Sequence, residues 1–223
     1  MIEANTGRSQ GVSIVLGRIP GGPSTDRCPR ERQRDAILDC IARLPQHDPT
    51  TGETKNPGPT SRSHCRRIVA VARSGSPDLQ PGIDIELADP RRDWAGILAA
   101  YGVRAAAIAP ARLGAAIWSF GEACYKATGK VPAPVLLDHA ATCIQAQGDR
   151  GTLVRWPGPR PLLAYGRAVP GEPGFMMFVV VIKADCTAPD FAFDIDLSID
   201  AGLVAPEGTD APSIRVSSAG WNR

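Results

Sequence analysis

RRIVAVARSGSPDLQPGIDIEL, residues 66–87, is the most informative stretch of the chain. RRIVAVAR (66–73) alternates apolar residues as a strand does, SGSPDLQP carries the Pro, Gly and Ser of a turn, and GIDIEL (82–87) is a second strand. Side chains two apart on a strand share one face, so Asp84 and Glu86 point one way while Ile83 and Ile85 point the other. The turn leads from one strand into the next, and the second carries a carboxylate pair on a single face.

Before this pair, VSIVLGRI (12–19) reads as a strand and PGGPSTDRCP (20–29) as a loop. ERQRDAILDCIARL (31–44) reads as an amphipathic helix, with Ile37, Ile41 and Leu44 at helical spacing and Pro29 near its start. Residues 45–59 are polar and rich in Pro, Gly and Thr, which predicts a mobile loop. After the pair, Asp89 and Pro90 predict a capped helix start, with the helix running to about Tyr101 and ending at Gly102. A further helix is predicted from near Pro110 through ARLGAAIWSFGEACYKAT to Gly129. Strands follow at 152–156, 161–168, 175–184 and 191–199, and the tail from Ala205 reads as loose. Strand, helix and returning strands in each half predict an α+β protein of two lobes with mostly antiparallel sheets, divided as 1–95 and 96–223.

The 223 residues suffice for one large domain or two small ones, and 43% hydrophobic content supports a packed core. A formal net charge of +2 provides no global field for nucleic acid, which is not expected as a partner. The longest apolar run, FMMFVVVI (175–182), is far short of the roughly 20 residues that span a bilayer, so no membrane partner is expected. MIEANTGRSQG lacks the apolar core of a secretory signal. Six cysteines without CxxC spacing argue against a zinc site and a disulfide scaffold, and reduced thiols in a cytoplasmic protein are the simpler expectation.

Paired carboxylates on a strand repel unless a cation lies between them, and hard oxygen ligands suit Mg²⁺ or Mn²⁺. The same pair also suits a half-exposed strand with a wet acidic face. WSFGEACYK places Trp118, Glu122 and Lys126 in one helical stripe, where Glu122 and Lys126 are either a cleft-facing pair or an ordinary surface ion pair. The stripe lies among Ala, Gly and aromatic residues, which favours the cleft. SRSHC places His64 just before a strand, where its ring N–H can bind a phosphate or simply complete a turn. His47 and His139 read as structural, and the arginines around Arg30 and Arg34 as a solvated helix surface before an anion site.

Taken in order, SRSH, a strand, GIDIE and WSxxEAxxK resemble the phosphopantetheinyl transferase family, of its larger, surfactin-synthetase-activating type, over residues 60–130. FMMFVVVIKA resembles the family's final core strand more loosely, and TKNP (54–57) stands where the family has a Gly-Lys-Pro turn. The resemblance implies a pseudo-dimer of two similar α+β lobes with coenzyme A in the cleft between them. It implies Asp84, Glu86 and Glu122 as ligands of Mg²⁺, or Mn²⁺, with Asp84, Glu122 and Lys126 as the catalytic set. Glu122 matches the residue that assists deprotonation of the acceptor serine, and Lys126 the lysine on the CoA phosphate. Ser63 and His64 match the family's SxSH nucleotide contact, with His64 near the 3′-phosphate. Arg34 and Lys55 stand where the family contacts CoA. The implied reaction transfers phosphopantetheine from CoA to a serine of an acyl or peptidyl carrier protein, by a monomeric enzyme. The family usually has lysine before the glutamate of the helix motif; here it is Gly121, and the stretch from GIDIE to that motif is short. That departure motivates the alternative of a non-catalytic or repurposed member that binds CoA or a carrier protein without transfer.

Overall fold

The structure is a computed structural model, described over residues 10–19, 29–44, 58–104, 110–147, 151–156, 162–169 and 172–183, together with the backbone of 195–200 and 213–216. The first half contains β1 (Gln10–Arg18), α1 (Pro29–Arg43), β2 (Thr60–Cys65), β3 (Ile68–Ser74) and β4 (Leu79–Leu87). Three helices follow, α2 (Trp94–Ala100), α3 (Ala111–Thr128) and α4 (Pro134–Gln147). The strands of the second half are β5 (Thr152–Trp156), β6 (Leu162–Val169), β7 (Glu172–Lys183), β8 (Ile195–Asp200) and β9 (Ser213–Val216).

The chain is α+β, and its strands form two sheets, ordered β2-β3-β1-β8-β9 and β4-β7-β6-β5. All neighbours are antiparallel except β1 and β8, which run parallel. Sheet membership does not follow a division at 95/96. β4 precedes that point yet pairs with β7, and β8 follows it yet pairs with β1.

Strand alternation creates the layers. Val12, Ile14 and Leu16 of β1 and Ile68, Ala70 and Ala72 of β3 face the second sheet, whose Ile83, Ile85, Met177 and Val179 complete that core. The intervening Val15, Val69 and Val71 face Ala36, Ile37, Cys40 and Leu44 of α1 and its end. On the other side, Phe178, Val180 and Ile182 of β7 pack under Ile117, Phe120 and Ala123 of α3 and Leu136, Leu137 and Ala140 of α4. The order is therefore helix, sheet, sheet, helices. β7 is buried on both faces, which explains why FMMFVVVI shows no polar alternation.

Three local differences from the sequence reading have simple causes. TSRSHC is strand β2, not a loop before a strand, and His64 lies within it. Its inward residues are serines, so no apolar alternation announces it. Helix α2 is capped by Asp93, whose carboxylate accepts from Gly96 N, whereas Asp89 accepts from the amide and guanidinium of Arg91. Those bonds to Arg91 hold the Asp89 carboxyl down at about 2. Helix α4 has no counterpart in the sequence reading. The loop expected at 45–59 lies largely outside the described residues, and the helix at 111–128 ends as expected at Gly129, whose φ is 69°.

The two sheets meet where β2 runs beside β4. Ile83 N donates to Ser61 Oγ at 3.1 Å and Ile85 N to Ser63 Oγ at 3.3 Å, so hydroxyls satisfy amides on the edge strand β4. A second tie is Glu172, a buried carboxylate that accepts from Arg67 at 2.9 Å and also from Arg18. It joins the start of β7 to the far ends of β1 and the β2–β3 turn. No helix among the described residues is long and apolar enough to cross a membrane.

Candidate functional site

Asp84 and Glu86 lie on the helix-facing side of β4, as the alternation requires, because Ile83 and Ile85 fill the core between the sheets. Gly82 occupies the same face. A Cβ at Gly82 would stand 2.0 Å from Ala123 O, so glycine is what lets α3 lie directly on β4. That close approach brings Lys126 over Asp84.

The Asp84 carboxylate is buried. Its Oδ1 accepts from Lys126 Nζ at 2.7 Å and from Ser63 Oγ at 2.8 Å. Lys126 Nζ also donates to Ile83 O at 3.1 Å, and Ser119 Oγ to Asp84 O at 2.9 Å. Loss of water drives the Asp84 carboxyl above the ordinary carboxylate range, against the opposing charge and hydrogen bond of Lys126.

Glu86 accepts from Leu87 N at 3.0 Å and lies 3.2 Å from Arg92 Nη1. The Cys65 thiol approaches Glu86 Oε1 at 3.8 Å. Burial first, and then the Glu86 charge, push that thiol up to about 11. Glu122 is raised by partial burial, then by the charge of Asp84; Lys126 opposes this and Glu86 adds to it. Glu122 thus feels both strand carboxylates.

The expected site residues separate into two groups. Ser63, Asp84 and Lys126 meet through hydrogen bonds where β2, β4 and α3 come together, with Glu86 two residues from Asp84 on β4 and Glu122 one turn before Lys126 on α3. Both hydrogen bonds of the Ser63 hydroxyl are made to β4. His64 is exposed and lies opposite Val69, so it belongs to the face of the first sheet that α1 covers. Arg34 is exposed on α1 itself, on that same side. Lys55 lies outside the described residues.

A cavity of about 310 Å³ lies between α2, α3 and the start of α4, and of the three carboxylates Glu122 alone lines it. Glu122 and Gly121 line it with Trp118, Tyr101, Tyr125 and Leu137. A Cβ at Gly121 would meet Leu137 Cδ2 at 3.4 Å and Pro132 Cγ at 3.9 Å. A side chain at position 121 would therefore begin towards apolar groups. From the sequence, Arg91, Arg92, Arg104 and Arg112 with Trp94, Ile97, Leu98 and Tyr101 suggest either a docking surface for an acidic carrier-protein helix or an ordinary helix packing its apolar side on the core; Trp94 and Leu98 are buried against α3, whereas Tyr101 is exposed. The exposed apolar residues here are Tyr101, Tyr125, Val131 and Val135.

One residue of the site escapes sequence reasoning and another is read in a different role. Arg92 pairs with Glu86, and Ser119 holds the backbone of Asp84. Ser119 is legible only as the neighbour of Trp118 in the helix stripe, and Arg92 is read from the sequence, with Arg91, as part of a carrier-protein docking surface.

The donor set is three carboxylates, which suits a small hard dication. Among the described residues no three His, Cys, Asp or Glu side chains converge as a ready metal cage. The reason is visible in the ion pairs: Asp84 is turned onto Lys126 and Glu86 onto Arg92. The set thus fits a divalent cation in chemistry, and in this arrangement the protein's own cations balance it. No model of a known protein family matches the chain, and no curated protein matches it.

Proposed function

We propose that this chain transfers the phosphopantetheine arm of CoA to a serine hydroxyl of a carrier protein, with Mg²⁺ or Mn²⁺ as cofactor. The observation that carries the reading is the ion pair of Asp84 with Lys126 across the β4–α3 contact, with Glu86 on the same face of β4 and Glu122 one turn before Lys126 on α3. Carboxylates on facing elements, with a lysine among them, suit chemistry on a polyanionic substrate.

Glu122 is the candidate base. A serine hydroxyl is a weak nucleophile at neutral pH, and a carboxylate of raised basicity accepts its proton more readily. The serine oxygen then attacks the β-phosphorus of CoA, and the bond to the bridging oxygen breaks, releasing adenosine 3′,5′-bisphosphate. Lys126, fixed by Asp84 Oδ1 and Ile83 O, keeps a positive charge where the pyrophosphate oxygens gain negative charge. Ser63 and Ser119 hold Asp84 by its side chain and its carbonyl. Asp84, Glu86 and Glu122 would hold the divalent cation, which supplies further charge against the pyrophosphate.

The reading includes two similar lobes, and the topology supports it. In β1-α1-β2-β3 the first strand pairs antiparallel with the last and the helix covers one face; β4-α3-β6-β7 repeats that plan. CoA would lie along the seam between them, while His64 and Arg34, on the α1 side of the first sheet, stand apart from the carboxylates. The exposed apolar residues around the cavity suit the apolar stripe of a carrier-protein helix. The test is incubation with CoA, Mg²⁺ and an apo carrier protein, followed by intact-mass analysis. A gain of one phosphopantetheine, absent with D84N, is expected. CoA binding without that gain would instead favour the non-catalytic alternative.

A further inference from the structure

We propose that Arg92 is an internal counter-ion of Glu86 that a divalent cation displaces, freeing its guanidinium for the anionic substrate. This deepens the metal reading above and rests on it.

Arg92 has two kinds of partner. Its Nη1 lies 3.2 Å from Glu86 Oε2. Its guanidinium carbon also lies 4.4 Å from the centre of the Trp94 ring and 5.4 Å from that of Trp118. The Trp94 shelf is fixed: the residue is 3% exposed and its indole N–H donates to Asp89 O at 2.9 Å. Trp118 is held edge-on by Tyr101, with ring centres 5.4 Å apart.

These partners respond differently to an arriving cation. A dication bound by Glu86 competes for the same carboxylate and repels the guanidinium. The aromatic faces make no such exchange, so they keep Arg92 nearby when its carboxylate is taken. The ion pair is half exposed, with side-chain exposures of 36% and 17%, and pairs of that kind are held weakly. Lys126 differs, because a main-chain carbonyl anchors it as well as Asp84. Of the two cations of the site, Arg92 is therefore the one built to move. Once released, its planar donors would be free to meet a phosphate group of the substrate. Cation and CoA then favour each other's binding through one arginine.

The test measures Mn²⁺ binding to the full-length chain without CoA, following free Mn²⁺ by its paramagnetic resonance signal. R92M should bind Mn²⁺ about three- to tenfold more tightly than wild type, and R92K should stay close to wild type. With Mn²⁺ saturating, CoA should bind R92M more weakly than wild type. If R92M loses its near-ultraviolet tryptophan dichroism, R92Q carries the same comparison. Equal or weaker Mn²⁺ binding by folded R92M or R92Q, with D84N losing it, overturns the proposal and leaves the metal reading standing. Absence of Mn²⁺ binding in both wild type and R92M overturns the two together.

Discussion

Lys126 Nζ and Asp84 Oδ1 are 2.7 Å apart, and each is placed by the other's element, α3 on β4. The aspartate is far the more buried partner, with side-chain exposure of 9% against 28%. Removing the lysine should therefore cost more than removing the negative charge. K126M should destabilise the fold by about 2–3 kcal/mol at neutral pH, somewhat below the scale for a fully buried pair. D84N should be nearly neutral for stability while abolishing transfer.

Burial of Asp84 also gives stability a definite dependence on pH. The folded-state Asp84 carboxyl is raised, so the folded protein holds that proton more tightly than the unfolded chain does. Its stabilising protonation is present at low pH and is lost as pH rises through the folded value. Loss of Lys126 raises that value further. Thermal melts should show the K126M deficit shrinking from pH 8 towards pH 5; a deficit independent of pH would assign Lys126 a packing role.

Glu122→Gln keeps size and removes basicity. Turnover should fall roughly a hundredfold or more, with CoA binding largely retained. The charge of Asp84 is a cause of the raised Glu122 carboxyl, so carboxyl NMR titration of D84N should show Glu122 titrating lower than in wild type. An unmoved titration would mean that the two carboxylates do not interact.

Gly121 opens on the cavity, with Leu137 at an ordinary contact distance from a Cβ placed there. Gly121→Ala should stabilise the protein by about 0.5–1 kcal/mol in denaturant titrations. CoA affinity should be unchanged. The sequence alone leads to the expectation that Gly121→Lys tightens CoA binding. The apolar direction of this position predicts instead no gain, with a loss of carrier-protein binding as the cavity fills. Calorimetry with each substrate separates the outcomes.

Cys65 has a thiol raised to about 11, so alkylation at pH 8 should be slow and should accelerate about tenfold per pH unit until near that value. Glu86→Gln removes one cause and should speed the reaction. Peptide mass mapping after brief iodoacetamide treatment resolves Cys65 from buried Cys40 and Cys124. Fast labelling of Cys65 in wild type at pH 8 would contradict the crowded-carboxylate environment.

Features that obey a simple period are legible in the sequence. GIDIEL shows its two faces correctly because strand alternation is strict, and α3 is bounded by Pro110 and Gly129. β2 is hidden because its inward side chains are Ser61 and Ser63, which bind amides rather than fill a core. α4 also obeys the helical period, with Leu136, Leu137, Ala140, Ala141 and Ile144 on its buried face, and the sequence reading passes over it. The partner of Glu86 is hidden because an arginine six residues on, beyond a proline turn, obeys no spacing rule. The setting of Gly121 depends on Leu137, which no local pattern connects to it.

The serines of β2 also bear on how such chains change over time. Ser61 and Ser63 satisfy amides of Ile83 and Ile85 that would otherwise be buried without partners. Folding alone therefore selects for hydroxyls at these alternate positions, whether or not any substrate is turned over. Glu122 carries no such structural duty among the described contacts, so a substitution there would leave this pair and the seam it closes in place.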